Sequence, residues 1–389
     1  MQESKREFIK QIGLIGAAGM FAVMPSASGD QLQAGANSSS VFNVKDFGAK
    51  GDGRASDSAA IQRALDEAGK VQGTAYFPSG NYRCHDLKVH SHTTVLAEPQ
   101  WAYGSDAGAV LTIDSEEADG VLDVTDGCGC HIRGIFLRGN KRAAKVQHGI
   151  FQNNDSWNSF ENTPVLEEVS VNSFSGNGVY LKKIKLFIIR HSIFQDNKDH
   201  GVCVQEGRGG LVIDNHFSGN GKCGFATEIS GATVMFTANS VEWNGEYGLY
   251  LIGDAENQGK AWNVTGNCFD RNGGAAIFAN GISDSTFTGN AFLRNGRNAA
   301  NLTEGTPESC HVLIQACKGI TVTGNTGVAG RDDDGQGALT PNNAFRLENN
   351  VCCIVTANTF SEGYLNDMVL NKGGNQDVEI INNIGSVYK

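Results

Sequence analysis

The sequence predicts an all-β fold, a solenoid in which short parallel strands stack coil upon coil. Three observations predict it. First, stretches such as "VIDNHFSGNG", "MFTANSVEWNG", "NVTGNCFDRNG" and "TFTGNAFLRNG" repeat one pattern: a β-branched run, an Asn, often a Phe two residues on, and often Asn-Gly. Second, the leading Asn recurs at 172, 215, 239, 267, 290, 325, 358 and 383, with steps of 24, 28, 23, 35, 33 and 25 from Asn215 onward. A further Asn column runs through Asn177, Asn197, Asn220, Asn244, Asn272 and Asn295. Units of this period cannot bury their own apolar side, so neighbours share one core. Third, 50 glycines and only 6 prolines suit many turns between paired strands. Leucine-rich repeats are the rival architecture, but no LxxLxLxxN pattern occurs.

Along the chain, residues 1–29 read as an export signal: basic "SKREFIK", apolar "QIGLIGAAGMFAVM", then small residues in "PSASG". Lys5-Arg6 stands where a twin-arginine signal has two arginines. The apolar run is short and glycine-rich for a membrane span, so the expectation is a periplasmic or extracellular bacterial protein with no stable membrane insertion after cleavage. Residues 30–40 form a linker, and the solenoid occupies 41–389. "FNVKDFG" is a strand and "AKGDGRA" a turn. "SDSAAIQRALDEAG" is a helix near 57–68, with apolar Ile61, Ala64, Leu65 and Ala68 on one side and Gly69 as its stop. Such a helix covers the open end of a solenoid, where core and strand edges are otherwise exposed. Asp46, Asp52 and Asp57 read as turn and cap residues.

Each repeat also carries a second strand after its Asn-Gly, as in "GVYLKK", "GVCVQE", "GFATEI" and "GLYLIG". Alternation turns Val202 and Val204 inward. It predicts an outward column of Asn153, Lys182, Gln205, Glu228, Ile252, Asn280, Gln315, Glu348 and Asn371. Polar groups along one face make a groove that suits a linear polymer.

Residues 41–83, "VFNVKDFGAKGDGRASDSAAIQRALDEA" followed by "GTAYFPSGNYRC", resemble the N-terminal signature of the pectate-lyase-like right-handed β-helix superfamily, in its rhamnogalacturonase/epimerase-like branch. Ser58 departs from it, since the family often has Thr there. The resemblance implies a right-handed parallel β-helix with an N-terminal capping helix. It also implies a choice among polysaccharide lyases, glycoside hydrolases, epimerases, fructan-converting transferases and tailspike-like binders, which fold alone does not make.

Charge narrows that choice. The net charge of -11 speaks against nucleic acid as partner. Residues 133–222 nevertheless hold 12 Lys and Arg against 8 Asp and Glu, whereas 223–389 hold 9 against 17. This basic band points to an anionic polysaccharide. The residue before the leading glycine of the second strand is His148, Asn177, His200, Cys223 and then Tyr247. Elimination from a uronate needs a neutraliser for the carboxylate, a base for the C5 proton and an acid for the departing oxygen at C4. His200 is the expected proton-transfer residue, with His148 or Tyr247 as counterpart two coils away and Asn177 beside them. The bland alternative is a corner histidine.

Asp199, Glu206, Glu228, Glu246 and Asp254 fall on neighbouring coils. Glu228 is the best placed of them for the paired-carboxylate chemistry of a glycoside hydrolase. Lys182, Arg208, Gln205, Asp254 and Trp157 are the expected substrate-binding residues. The expected function is a secreted lyase cleaving a uronic-acid-containing polysaccharide, with a hydrolase or related glycan-converting enzyme, or a non-catalytic glycan binder, as alternatives. No cofactor is expected. "GRDDDGQG" is the one stretch that suggests Ca²⁺, without EF-hand spacing. The ten cysteines lack metal or disulfide spacing and read as small core residues.

Overall fold

A computed structural model describes residues 40–98, 107–157, 162–253, 259–297, 309–331, 335, 339–364 and 368–387. The segment read as an export signal therefore lies outside the described residues, as do Asp254 and the three aspartates of the "GRDDDGQG" loop. Among the described residues no helix is long and apolar enough to cross a membrane.

The strands pair in parallel throughout the named ladders, and each coil contributes up to three of them. The groove face is built from strands such as His148–Asn153, Val179–Lys182, Leu249–Ile252 and Ile277–Asn280. The second face includes Val165–Glu167, Asn263–Thr265 and Ser283–Thr288. The third includes Ser170–Asn172, Ile193–Gln195 and Ser240–Glu242. Two long strands, Val202–Ile213 and Phe225–Thr237, run through the corner and join the groove and second faces into one sheet. Valines, leucines and phenylalanines from all three faces fill the interior.

The corners explain the asparagines. Asn220 donates from its backbone N (3.2 Å) and its Nδ2 (2.9 Å) to Oδ1 of Asn244, whose own Nδ2 donates to the Phe217 carbonyl (3.2 Å) and to Asn272 (2.9 Å). The same pattern runs from Asn215 to Asn383 and from Asn197 to Asn295. A side-chain amide thus satisfies buried polar groups that a tight corner removes from the strand ladders. Inside, Phe194, Phe217, Phe236, Phe269 and Phe292 stack at centroid spacings of 5.3, 5.9, 6.4 and 5.6 Å.

Two asparagines do not stand where the repeat suggests. Asn172 is paired with Gln195 on the third face; the Asn215 column continues through Ser192 to Val169. Asn197 is preceded in its column by Phe174, and Asn177 lies three residues further on. Both slips arise because the earlier coils lack Asn at the corner, so a nearby Asn substitutes for it in a text alignment.

The helix, α1 (Ser58–Lys70), buries Ala60, Ile61, Ala64, Leu65 and Ala68 against the end of the solenoid. Gly69 lies within it rather than after it. A Cβ there would come within 2.7 Å of the His90 ring, so close packing and not termination requires the glycine. Asp57 precedes α1 yet accepts from the backbone N of Lys50 (2.7 Å) and Gly51 (3.1 Å), so it fixes the preceding turn. Asp52 likewise accepts from Arg54 and Ala55. All ten cysteines are free thiols.

Asn244→Ala removes one acceptor and two donors from a buried ladder. It should destabilise the protein by about 2–3 kcal/mol, whereas Asn172→Ala, off the ladder, should cost less than about 0.5 kcal/mol. Urea unfolding of the two variants beside the parent checks the difference.

Candidate active site

The slot before the leading glycine is a true column. Gly178 N donates to the His200 carbonyl, Gly201 N to that of Cys223, Gly224 N to that of Tyr247 and Gly248 N to that of Ala275. His148, Asn177, His200, Cys223 and Tyr247 therefore sit on successive coils, and His200 is two coils from both His148 and Tyr247.

The histidines act at this corner as asparagines act elsewhere, with the direction reversed. His148 Nδ1 accepts from Asn177 N (3.1 Å), Asn177 Oδ1 accepts from His200 N (3.0 Å), and His200 Nδ1 accepts from Cys223 N (3.1 Å). Burial lowers the pKa of His148 and of His200 to about 4 each, and Lys222 adds to the shift at His200. Both rings are neutral near pH 7. With Nδ1 accepting a backbone N–H, the single ring proton resides on Nε2. For His200 that N–H faces the groove, with Nε2 3.8 Å from Glu228 Oε1. His200 is thus a fixed donor, and the expected base role does not fit its bonding.

Glu228 reaches this position through a bulge. Val204 pairs with Thr227 and Glu206 with Ser230, so Gln205 alone faces Glu228 and Ile229. A bulge re-aims side chains locally. The carboxylate belongs to a cleft of about 430 Å³ lined by His200, Lys222, Cys223, Glu228, Glu246, Tyr247, Tyr250 and Phe278. Lys222 Nζ is 3.0 Å from Asp199 Oδ1. Partial burial works against the lysine's charge, but Asp199, with Glu246 and Glu228 nearby, raises its pKa. Tyr247, Tyr250 and Phe278 stack with centroids 4.9–5.6 Å apart and form an aromatic wall.

Of the residues singled out from sequence, His200, Tyr247, Glu228 and Glu246 meet in this cleft, with Cys223 beside them. Asn177 contributes a backbone-binding amide behind His200. His148 is outside the lining and stacks on Tyr180 at 5.0 Å. Lys182 and Gln205 lie on the outward column two coils and one coil before Glu228, bonded to Asp155 (3.0 Å) and to the Tyr180 hydroxyl (2.8 Å) respectively. Arg208 covers the Trp157 ring at 5.0 Å, beside a separate cavity that includes Asn154, Ser156 and Asp126. Trp157 and Arg208 are therefore not in the cleft.

The basic band is also less free than its composition implies. Lys141 pairs with Asp196, Lys145 with Asp119, Arg190 with Glu167 on the second face, and Lys183 with Glu206. The outward column holds through Glu348 but slips at its last member, where Asn371 pairs with inward Leu347. Tyr250 and Phe278 were legible but overlooked: the alternation that turns Lys182 outward turns them outward too. Among the described residues no three His, Cys, Asp or Glu side chains converge as metal ligands.

Comparisons with known proteins agree with this architecture. Residues 121–292 match the model of the right handed beta helix region. Residues 41–102 match that of rhamnogalacturonase A/epimerase, pectate lyase-like. The chain is 30% identical over 238 residues to mannuronan C5-epimerase AlgE1 of Azotobacter vinelandii, across 54% of this chain and 16% of that protein. It is 30% identical over 211 residues to alginate lyase 7 of the same organism, across 50% and 24%. The chain thus spans less than a quarter of either relative. Among solved structures, the A-module of the Azotobacter vinelandii mannuronan C-5 epimerase AlgE6 superposes with a TM-score of 0.67 at 19% identity, covering 90% of this chain and all of that one. The chain is a right-handed parallel β-helix of the pectate-lyase-like superfamily.

Proposed function

We propose that the chain is a lyase that cleaves a uronic-acid-containing polysaccharide by β-elimination in the cleft at His200. The observation that carries this reading is the convergence there of a desolvated neutral imidazole N–H, a lysine, two carboxylates and two phenols. Lys222 and the His200 Nε2–H receive the substrate carboxylate and stabilise the charge that builds on it. Glu228 takes the C5 proton. The C4–O bond then breaks, its electron pair leaves with the oxygen, Tyr247 protonates that oxygen, and a C4=C5 double bond forms. The basic and apolar N-terminal segment supports action outside the cytoplasm.

A second reading is C5 epimerisation, favoured by the similarity to mannuronan C5-epimerases. It begins with the same proton removal and ends with reprotonation from the opposite face of the ring. Incubation with a set of uronate-containing polysaccharides, both polyuronates and alternating polymers, separates the outcomes. A lyase generates unsaturated-uronate absorbance together with new reducing ends. An epimerase changes the C5 configuration seen by NMR and generates neither. If every polymer of the set is unchanged by all three measures, both readings are overturned.

His200→Asn keeps an acceptor for Cys223 N, as Asn177 does one coil earlier, but removes the groove-facing N–H. It should fold like the parent and lose about 10²–10³-fold in turnover. Glu228→Gln should lose about 10²–10⁴-fold. Circular dichroism and initial rates on the same preparations check both.

The two histidines also couple stability to pH. Their folded pKa values lie below the ordinary 6.5, so the unfolded chain binds protons that the folded one does not. Their contribution is full above about pH 6.5 and falls as pH drops from there toward 4, by up to about 1.4 kcal/mol per pH unit for each. Urea midpoints from pH 7 to pH 4.5 should decline, and the His148→Asn/His200→Asn double variant should flatten that decline.

A further inference from the structure

The cleft is not built for a carboxylate on every sugar. Its described lining holds one cation, Lys222, against the two carboxylates Glu228 and Glu246, and His200 is neutral. Asp199 already occupies Lys222 from one side at 3.0 Å. One substrate carboxylate is satisfied by Lys222 and the His200 Nε2–H. A second, on the adjoining unit, meets like charge or the ring faces of Tyr247 and Tyr250, with no second cation among the described lining.

The aromatic side is backed by buried apolar residues on the following coils. Tyr247, Tyr250 and Ile252 pack on an outward cluster of Ala275, Phe278, Cys310 and Leu313, distinct from the solenoid core. Phe278 and Leu313 continue the Tyr250 column of the groove face as buried support, while half-buried Ile252 stands in the column where an earlier coil presents Lys182. Placing a carboxylate against such a surface costs its hydration without a partner. The flat face of an uncharged sugar, or an acetyl group, has the complementary character.

We infer that the substrate is a polysaccharide in which the reacting uronate is flanked, on the Tyr250–Phe278 side, by an uncharged sugar. The inference rests on the proposed reaction and names its substrate class: an alternating polymer of uronate and neutral or N-acetylated units, not a polyuronate.

The test compares hyaluronan and unsulfated chondroitin, which alternate a uronate with an N-acetylhexosamine, with sodium alginate, in which every unit is a uronate. The parent should show kcat/KM higher on an alternating polymer by about tenfold or more, because like charges in the cleft oppose the polyuronate. Its rate on alginate should rise as added salt screens that repulsion. Ile252→Lys, which puts a cation on the apolar side, should raise kcat/KM on alginate several-fold and narrow the preference. Equal or better turnover of alginate by the parent overturns the inference while leaving the reaction standing. If no polymer in the set gives double-bond formation or C5 inversion, the reading of the site falls and this inference with it. Should Ile252→Lys fail to fold, the parent's preference and salt response decide alone.

Discussion

Everything in this molecule depends on pairing between one coil and the next at the corners. Flat strands pair through their backbones without help, but a corner turns N–H and C=O groups out of the ladder. Leaving them buried and unpaired would cost about 1–3 kcal/mol each. The protein settles this with a side chain that accepts from a neighbouring coil: Asn at the corners around the third face, and His or Asn before the groove strand. That one requirement fixes the register of the coils, and the register in turn decides which side chains share the groove.

The histidine slot shows how a structural duty and a chemical one coexist in a single ring. Nδ1 is committed to the backbone and holds the ring in place. Because it is committed, the proton is left on Nε2, toward the groove. Burial keeps the ring uncharged, so it donates without adding charge of its own. An asparagine satisfies the corner equally well, as Asn177 does, but its short side chain leaves no second polar group to face the groove. The ring is the smallest change to the corner that adds one.

Much of the fold was legible in the sequence because its signals are local and repeated. The Asn spacing, the Phe two residues on and the alternation of "GVCVQE" each report a contact between identical positions in adjacent coils. Errors arose where the repeat lapses. Val169 and Phe174 occupy corners without Asn, and Asn172 and Asn177 nearby invite a false alignment. The candidate site was half legible. His200, Tyr247 and Glu228 follow from register. The bulge at Glu228–Ile229 carries no signature in composition, and the pairing of the basic band with Asp155, Asp196 and Glu167 depends on three-dimensional proximity. The neutral state of His200 is a product of burial, which residue identity alone does not reveal.

Strands Val202–Ile213 and Phe225–Thr237 pass from the groove face to the second face without a break, just beyond Glu206 and Glu228. Most coils change direction there through a turn, and a turn is where a chain tolerates added length. These two coils have given up that freedom. An inserted residue would move the far half of the strand onto the wrong face unless a bulge absorbs it, as the one at Glu228–Ile229 does, since side chains alternate with a period of two. The seam therefore takes a single bulged residue rather than a loop, and added length is better accommodated at corners on other coils. Diversification of what it binds must come from the flanks of the groove, while the residues around His200 keep their spacing.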